Sequence, residues 1–166
     1  MRAARAAHGP CAIDGADMIS REPIFRVHCE VADILDLGAA PFGHRRVVNL
    51  LGGTVAGKLN GRIIPGGSDW QVMAADGSLD IHARYTVESD AGALVQVDSK
   101  GMRHAPPDVL ARLARGEDVD PSLYYFRTVM RFETAHPTTA WLNKIMAIAR
   151  GARERSAVKL EVYEIL

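Results

Sequence analysis

The chain has 166 residues, of which 48% are hydrophobic, and it carries two cysteines. That length and apolar content suit one domain with a real core, so the composition excludes a disordered chain or a metal-dependent miniprotein. Its 20 basic residues balance 20 acidic ones, for a formal net charge of zero. A general nucleic-acid binder needs a basic surplus to neutralise phosphates, so we expect no nucleic-acid partner.

The N-terminal segment lacks the continuous apolar block of a secretory signal, and no stretch approaches the roughly 20 apolar residues that span a bilayer. We therefore expect a cytoplasmic protein with no membrane partner. Cys11 and Cys29 form no CxxC pair, which favours two free thiols in a reducing compartment. Residues 1–20 are predicted to be a disordered extension and residues 21–166 a single domain.

Alternation of apolar and polar residues predicts β-strands through much of the chain. The alternation is clearest over residues 79–88, where Ile81, Ala83, Tyr85 and Val87 share one face. Further strand-like segments cover residues 24–35, 46–59, 68–74 and 93–103. Tight turns between them are predicted at Asn60-Gly61, Asp76-Gly77 and Asp90-Ala-Gly92.

The pattern changes after residue 105. Pro107 near its start and Gly116 at its end predict one short helix over residues 108–116. Residues 122–134 alternate again as a strand, residues 138–150 fit either a helix or a strand, and residues 156–166 are strand-like. Eight or more short strands with few helices to cover an open edge predict an all-β fold, a closed antiparallel β-barrel.

Three sequence signals of ligand or cofactor binding are weak. The glycine-rich residues 52–67 contain neither GxxxxGK[ST] nor a GxGxxG that opens a helix, so they indicate bending strands and not a phosphate cradle. The six histidines never occur in HxH or HExxH spacing, and no GxSxG elbow is present. We therefore predict no metal and no cofactor, although His44, His82 or His104 remains open as part of a metal site assembled in space.

Polar residues inside the strand-like segments are the candidates for a site. A buried carboxylate suits a general base, a tyrosine can donate a proton, arginines bind a carboxylate or stabilise an enolate, and aromatic rings stack on a ligand. The candidate catalytic residues are Asp69, Glu133 and Tyr125. The candidate substrate-binding residues are Trp70, His82, Arg84, Arg103, Arg127 and Asn143.

The same residues have a second interpretation. If the apolar face of residues 79–88 points inward, His82 and Arg84 point to solvent or to a subunit contact. Arg84, Arg127 and Glu133 then belong to cross-strand ion pairs, each worth at most about 1 kcal/mol. Alternation alone leaves both faces open.

An ordered series of short motifs resembles a known family. The motifs are Gly43-His-Arg-Arg, GGTVAGKLNGRIIPGGSDW, Asp76-Gly77, Ala83-Arg84-Tyr85, Gly101-Met-Arg103, YYFRTVMRFET and Trp141-Leu-Asn143. Over residues 22–166 the chain is similar to the domain-of-unknown-function family 3237, also called uncharacterised protein family 0311. The resemblance implies a lipocalin-like antiparallel barrel and a homo-oligomer. It also implies that Asp69, Arg84 and Arg103 lie in signature motifs.

The sequence therefore predicts a small-molecule site in the barrel lumen. The predicted chemistry is a cofactor-independent isomerase, cyclase or lyase that acts on a carbonyl-bearing or aromatic metabolite. One alternative is a non-catalytic carrier or sensor of an apolar metabolite, which would have a wholly apolar lumen. The other is a structural oligomer subunit, which a cavity smaller than about 300 Å³ would favour.

Overall fold

The computed structural model describes residues 18–166 and confirms the closed antiparallel β-barrel. Each strand pairs with its neighbours along the chain, and the last strand pairs back with the first. The strands are β1 (Phe25–Ala40), β2 (Gly43–Gly57), β3 (Gly61–Met73), β4 (Leu79–Ser89), β5 (Leu94–His104), β6 (Tyr125–Glu133), β7 (Met146–Arg153) and β8 (Ala157–Ile165). One α-helix, α1 (Pro107–Ala114), lies between β5 and β6.

Helix α1 begins and ends where proline and glycine predict. Pro107 occupies its first turn, where a missing backbone N–H costs nothing. Gly116 follows the helix with a φ of +73° and donates its N–H to the carbonyl oxygen of Leu113 at 3.0 Å. In the part of the chain that the structure describes, no helix is long and apolar enough to cross a bilayer.

Residues 138–150, which fitted either a helix or a strand, contain first a helix and then a strand. A 3₁₀ helix covers Pro137–Lys144, and β7 begins at Met146. The 3₁₀ helix begins where the His136 ring accepts a hydrogen bond from the backbone N–H of Thr138 at 3.3 Å. A shorter 3₁₀ helix, Pro121–Leu123, precedes β6.

Residues 18–20 pair with the end of β8. Ile19 forms an isolated bridge with Ile165, and the backbone N–H of Ser20 donates to the Glu164 carbonyl oxygen at 2.9 Å. These residues fall within the predicted N-terminal extension, so ordered pairing starts before residue 21. The rest of that extension, with Cys11, lies outside the described residues.

The inside of the barrel has an apolar end and a polar end. At the apolar end Ile63 pairs with Val87, and Val87 pairs with Val95, and all three side chains are almost fully buried. Leu142, in the 3₁₀ helix that follows β6, is also fully buried there. At the other end several inward positions carry polar side chains, and this end holds the candidate site.

Candidate functional site

A cavity of about 80 Å³ lies in the barrel lumen, with inward side chains from all eight strands around it. Its apolar wall includes Val48, Ile81 and Phe126. Its polar and sulfur-bearing lining residues are Cys29, Arg46, Asp69, Gln71, Tyr85, Ser99, Arg103, Thr128 and Arg153. The lumen therefore combines apolar walls with a few converging polar groups, as a small-molecule site does.

The lumen opens into a wider recess of about 520 Å³ at the barrel mouth. Ile34, Arg46, Arg103 and Arg153 line both spaces, so the recess continues the lumen. Helix α1 forms one side of the recess. The lumen alone, at about 80 Å³, is smaller than the roughly 300 Å³ typical of ligand pockets, and the recess beside it is open to solvent.

Asp69 is the carboxylate of the lumen. It lies on β3 opposite Ala83, whose small side chain leaves room inside the barrel. Its Oδ1 accepts a hydrogen bond from the His82 backbone N–H at 3.1 Å, and its Oδ2 accepts one from Gln71 Nε2 at 2.6 Å. Burial raises the pKa of Asp69 above its ordinary value, although both hydrogen bonds and nearby Arg103 act in the opposite direction.

Three arginines surround the passage from the lumen to the recess: Arg46, Arg103 and Arg153. Burial, with the nearby charges of Arg46 and Arg153, lowers the pKa of Arg103 to about 10. Burial also lowers the pKa values of Arg46 and Arg153. All three nevertheless stay protonated at neutral pH, so three positive charges face the single carboxylate of Asp69.

Two buried hydroxyls lie among the polar side chains of the lumen. Tyr85 and Thr128 are only 6% and 4% exposed, and neither hydroxyl has a hydrogen-bond partner within residues 18–166. Burial raises the pKa of Tyr85 well above its usual range, so its hydroxyl is a proton donor. Burial likewise raises the pKa of the Cys29 thiol to about 12, which makes it a neutral side chain and a poor nucleophile.

The structure places Trp70, His82 and Arg84 on the outer surface of the barrel, and not in the lumen. Trp70 is 57% exposed. His82 Nε2 lies 3.0 Å from Asp98 Oδ2, and Arg84 Nε lies 3.4 Å from the same oxygen. These residues alternate with Asp69, Ile81 and Ala83, which point inward, so the pleat turns them outward.

The candidates on β6 also lie outside the lumen, because Phe126, Thr128, Met130 and Phe132 fill the inward positions. The outward positions hold Tyr125, Arg127 and Glu133. The Tyr125 ring stacks on His104 with 4.9 Å between centroids, and the Arg127 guanidinium lies 5.1 Å from the Tyr125 ring. Glu133 is exposed at the end of the strand.

Asn143 holds two segments of backbone together. Its Oδ1 accepts from the Thr134 N–H at 2.9 Å, and its Nδ2 donates to the Thr134 carbonyl oxygen at 2.8 Å. This pair of bonds fastens the 3₁₀ helix to the end of β6. Of the nine candidates, the structure therefore brings only Asp69 and Arg103 together in the lumen.

Residues 19–165 match a family described as "Protein of unknown function (DUF3237)". The chain belongs to this family. A UPF0311 protein of Bradyrhizobium diazoefficiens is 37% identical over 143 residues, which cover 86% of this chain and 94% of the relative. A UPF0311 protein of Rhodopseudomonas palustris is 36% identical over 144 residues, which cover 86% of this chain and 94% of that relative. The resemblance that the motifs indicated is confirmed.

Several solved structures are similar to this barrel. The conserved protein of unknown function RPA1785 from Rhodopseudomonas palustris has a TM-score of 0.84 and 34% identity, over 91% of this chain and 99% of that one. A β-barrel-like protein from Acinetobacter baumannii has a TM-score of 0.76 and 40% identity, over 88% and 95%. A protein described as an enzyme from Penicillium herquei has a TM-score of 0.67 and 19% identity, over 92% and 98%, and shows the fold alone.

Sequence reasoning missed several polar lumen residues of this DUF3237 barrel, among them Arg46, Gln71 and Arg153. Each of these three continues an alternating inward row to its polar end. Arg46 precedes Val48 and Leu50 in one row, and Arg153 follows Ala147, Ala149 and Gly151 in another. Extending the period-two pattern past the apolar residues would have found them.

Other predictions for this DUF3237 protein remain predictions. They are the homo-oligomer, the cytoplasmic location, the absence of a cofactor and the lack of nucleic-acid and membrane partners. Among residues 18–166 no group of three or more histidine, cysteine, aspartate and glutamate side chains is arranged to hold a metal ion.

Proposed function

We propose that the lumen binds a small carbonyl-bearing molecule and moves a proton on it without a cofactor. The reaction class is that of an isomerase, a cyclase or a lyase. The observation that carries the proposal is the position of Asp69, a partly buried carboxylate of raised pKa in the same cavity as Arg103. Perturbed carboxylates beside a specific charge in a cavity are typical of active sites.

Asp69 acts as the general base. Desolvation makes its carboxylate a stronger proton acceptor than an exposed aspartate, because the charged form loses its hydration. The hydrogen bonds from Gln71 and from the His82 backbone hold the carboxylate in one orientation. A fixed base in a shaped cavity is what proton abstraction from carbon requires.

Arg103 stabilises the oxyanion. Its Nε is buried without a hydrogen-bond partner in the described part of the chain, so a donor is available to an oxygen atom in the lumen. When Asp69 removes a proton from the carbon next to a carbonyl, the C–H electron pair becomes the carbon–carbon double bond of an enolate. The carbonyl oxygen then carries the negative charge, which a guanidinium in a dry site stabilises strongly.

The fate of the enolate decides the reaction class. Where the substrate has a second double bond conjugated with the enolate, the neutral carboxyl of Asp69 returns the proton to the far carbon of that dienolate. The double bonds shift, the carbonyl re-forms, and the product is an isomer. Loss of a leaving group from the next carbon gives an elimination product, and the departing group takes the electron pair of the breaking bond. Both outcomes need only a base, an oxyanion donor and a cavity, and this chain supplies all three.

The two alternative functions have less support. A carrier of an apolar metabolite would have a wholly apolar lumen, whereas this lumen holds three arginines and an aspartate. A purely structural subunit would fill its barrel with side chains. The lumen of about 80 Å³ is by itself small enough for a structural subunit, so the support for a ligand site comes from the buried polar atoms without partners among the described residues and from the adjoining recess.

Deuterium exchange tests the proposed function. The protein is incubated in heavy water with levulinate, methyl levulinate or acetophenone, and NMR follows the loss of protons next to each ketone. We expect acceleration with at least one of them, and Asp69→Asn should lower the rate by about 10² to 10⁴-fold. The matched control is Asp80→Asn, which changes an exposed aspartate on β4. Equal rates for the wild type and Asp69→Asn would overturn the proposal.

A further inference from the structure

The three arginines at the lumen mouth exceed what proton transfer needs. An oxyanion requires one donor, which Arg103 supplies, whereas Arg46 and Arg153 have no part in that step. Within residues 18–166 none of the three forms an ion pair with a carboxylate. Burying mutually repelling cations is costly unless an anion compensates them.

We infer that the substrate carries a carboxylate, which Arg46 and Arg153 bind at the mouth of the lumen. This inference rests on the proposed function, since it names the class of molecule on which Asp69 and Arg103 would act. The carboxylate and the reacting carbonyl oxygen both lie at the level of the three arginines, the carbon that loses its proton points toward Asp69, and the rest of the substrate extends into the recess. The substrate is therefore an oxo acid or a related carbonyl-bearing acid.

The order of residues along the barrel supports this orientation. Arg103 pairs with Leu79 near the mouth, whereas Asp69 pairs with Ala83, two inward positions deeper along β4. Tyr85 is the next inward position beyond Ala83. A ligand that enters from the recess meets the arginines first and the aspartate and tyrosine afterwards.

The available donors fit one carboxylate. Arg46 Nη2 already donates to Gln71 Oε1 at 2.6 Å, and Arg153 Nη1 donates to the Ala157 carbonyl oxygen at 3.0 Å. Arg46 Nε is buried and has no partner among the described residues. Each of the two guanidiniums thus keeps N–H groups that can donate charge-assisted hydrogen bonds to a carboxylate.

The net charge also favours an anion. With Asp69 ionised, three guanidiniums and one carboxylate leave two positive charges in the lumen lining. A ligand carboxylate reduces this surplus while the ionised base still attracts protons. A phosphate dianion would cancel the whole surplus, so inorganic phosphate is the probe that separates a carboxylate site from a general anion site. The recess adds Arg115, Arg155 and Asp33, and Arg115 is already paired with Glu117 at 2.7 Å.

Calorimetry tests the inference with levulinate, its methyl ester and inorganic phosphate as probes. The wild type should bind levulinate at least about tenfold more tightly than the ester or phosphate, as expected for a charge-assisted hydrogen bond. Arg153→Gln should lose about tenfold or more in levulinate affinity and leave ester affinity unchanged. Arg153→Lys keeps the charge and should recover part of the loss. Circular dichroism verifies that each variant folds.

The matched control is Arg150→Gln, since Arg150 is exposed on the same strand. Equal affinity for levulinate and its ester, binding of neither, tighter binding of phosphate, or an equal loss in Arg150→Gln would each overturn the inference. Calorimetry and deuterium exchange together distinguish a failure of this inference from a failure of the proposed function. Tight levulinate binding without deuterium exchange contradicts only the proton transfer. If the protons of the methyl ester exchange as fast as those of levulinate, only the inference that the substrate needs a carboxylate is contradicted.

Discussion

The Gln71 side chain donates from Nε2 to Asp69 Oδ2 at 2.6 Å, two positions along the same inward row of β3. The carbonyl oxygen of the same amide accepts a hydrogen bond from Arg46 Nη2, also at 2.6 Å. Because one amide satisfies both neighbours, its orientation is fixed. Gln71 thus connects the cationic mouth with the carboxylate, and it is a positioning residue for Asp69.

Replacing Gln71 by methionine is expected to raise the pKa of Asp69 further. The Gln71 hydrogen bond lowers that pKa against the effect of burial, so its loss acts upward. Only ionised Asp69 accepts a proton, so the exchange rate rises as the pH rises through this pKa. The midpoint of the pH–rate profile should therefore move to higher pH in Gln71→Met. The control is Gln96→Met, which changes an exposed glutamine on β5. An unchanged or lower midpoint in Gln71→Met would contradict the role of Gln71 as a positioning residue for Asp69.

The free energy of unfolding of the barrel should also depend on pH because the pKa of Asp69 is raised. A carboxyl whose pKa is raised on folding binds its proton more tightly in the folded state than in the unfolded state. Its contribution to the free energy of unfolding is full below the ordinary aspartate pKa and is lost as the pH rises through the raised value. Other carboxyls, such as Asp36 and Asp76, have lowered pKa values and act in the opposite direction. Urea unfolding over the acidic range should therefore show this decline in the wild type relative to Asp69→Asn. Asp69→Asn should lack it, and an identical pH dependence in both proteins would contradict the raised pKa.

Arg84 and Arg103 form a matched pair that separates the outer surface from the lumen. Arg103→Gln should lower levulinate affinity about tenfold or more, because it removes a charged donor from the cavity. Arg84→Gln should keep that affinity within about twofold, and the loss of its exposed contact with Asp98 should cost at most about 1 kcal/mol. Calorimetry on both variants checks this. The reverse ranking would place the ligand on the outer face.

Tyr85→Phe should change stability and binding in opposite directions. The Tyr85 hydroxyl is buried without a partner within residues 18–166, so its removal should leave the free energy of unfolding unchanged or raise it by about 1 kcal/mol. If that hydroxyl faces the ligand, levulinate affinity should fall by roughly three- to tenfold. Tyr163→Phe, on the less buried β8 tyrosine, serves as the control. A destabilised variant with unchanged affinity would contradict a binding role.

Asn143→Ala should affect stability alone. It removes both hydrogen bonds to the Thr134 backbone, at a cost of about 1 to 3 kcal/mol in the free energy of unfolding. Affinity for levulinate should stay within about twofold, since Asn143 lies outside the lumen. The neighbouring exposed Lys144→Ala is the control in urea unfolding. Lost affinity at unchanged stability would return Asn143 to the ligand site.

The barrel was predictable because its strands repeat one physical rule. Apolar and polar residues alternate over residues 79–88, and the structure buries Ile81, Tyr85 and Val87 on the inner face of β4. The hairpin predicted at Asn60-Gly61 also forms, with the turn at residues 58–60 and Gly61 as the first residue of β3. Residues 138–150 were not predictable, since the choice of helix or strand there depends on packing against the end of β6 and not on local pattern.

The site was only partly predictable from the sequence. Alternation shows that Asp69 and Trp70 lie on opposite faces, but both faces of β3 carry polar residues, so pattern alone does not say which is inside. Tertiary contacts decide it: Ala83 opposite Asp69 leaves space, and Trp70 lies on the convex surface. Arg46 and Arg153 were missed because a charged residue at a strand end resembles an ordinary solvent-facing residue.

Whether the ligand binds in the lumen or on the outer surface of the barrel can be measured directly. The measurement is NMR of side-chain N–H groups during titration with levulinate. Arg46 and Arg103 each hold a buried Nε–H in the lumen lining, whereas the Trp70 indole is 57% exposed on the outer surface. Single substitutions assign the three signals. We predict that the two arginine Nε–H signals shift on titration while the Trp70 indole signal stays in place. Shifts confined to Trp70 and Arg84, with the two lumen arginines unmoved, would contradict the account.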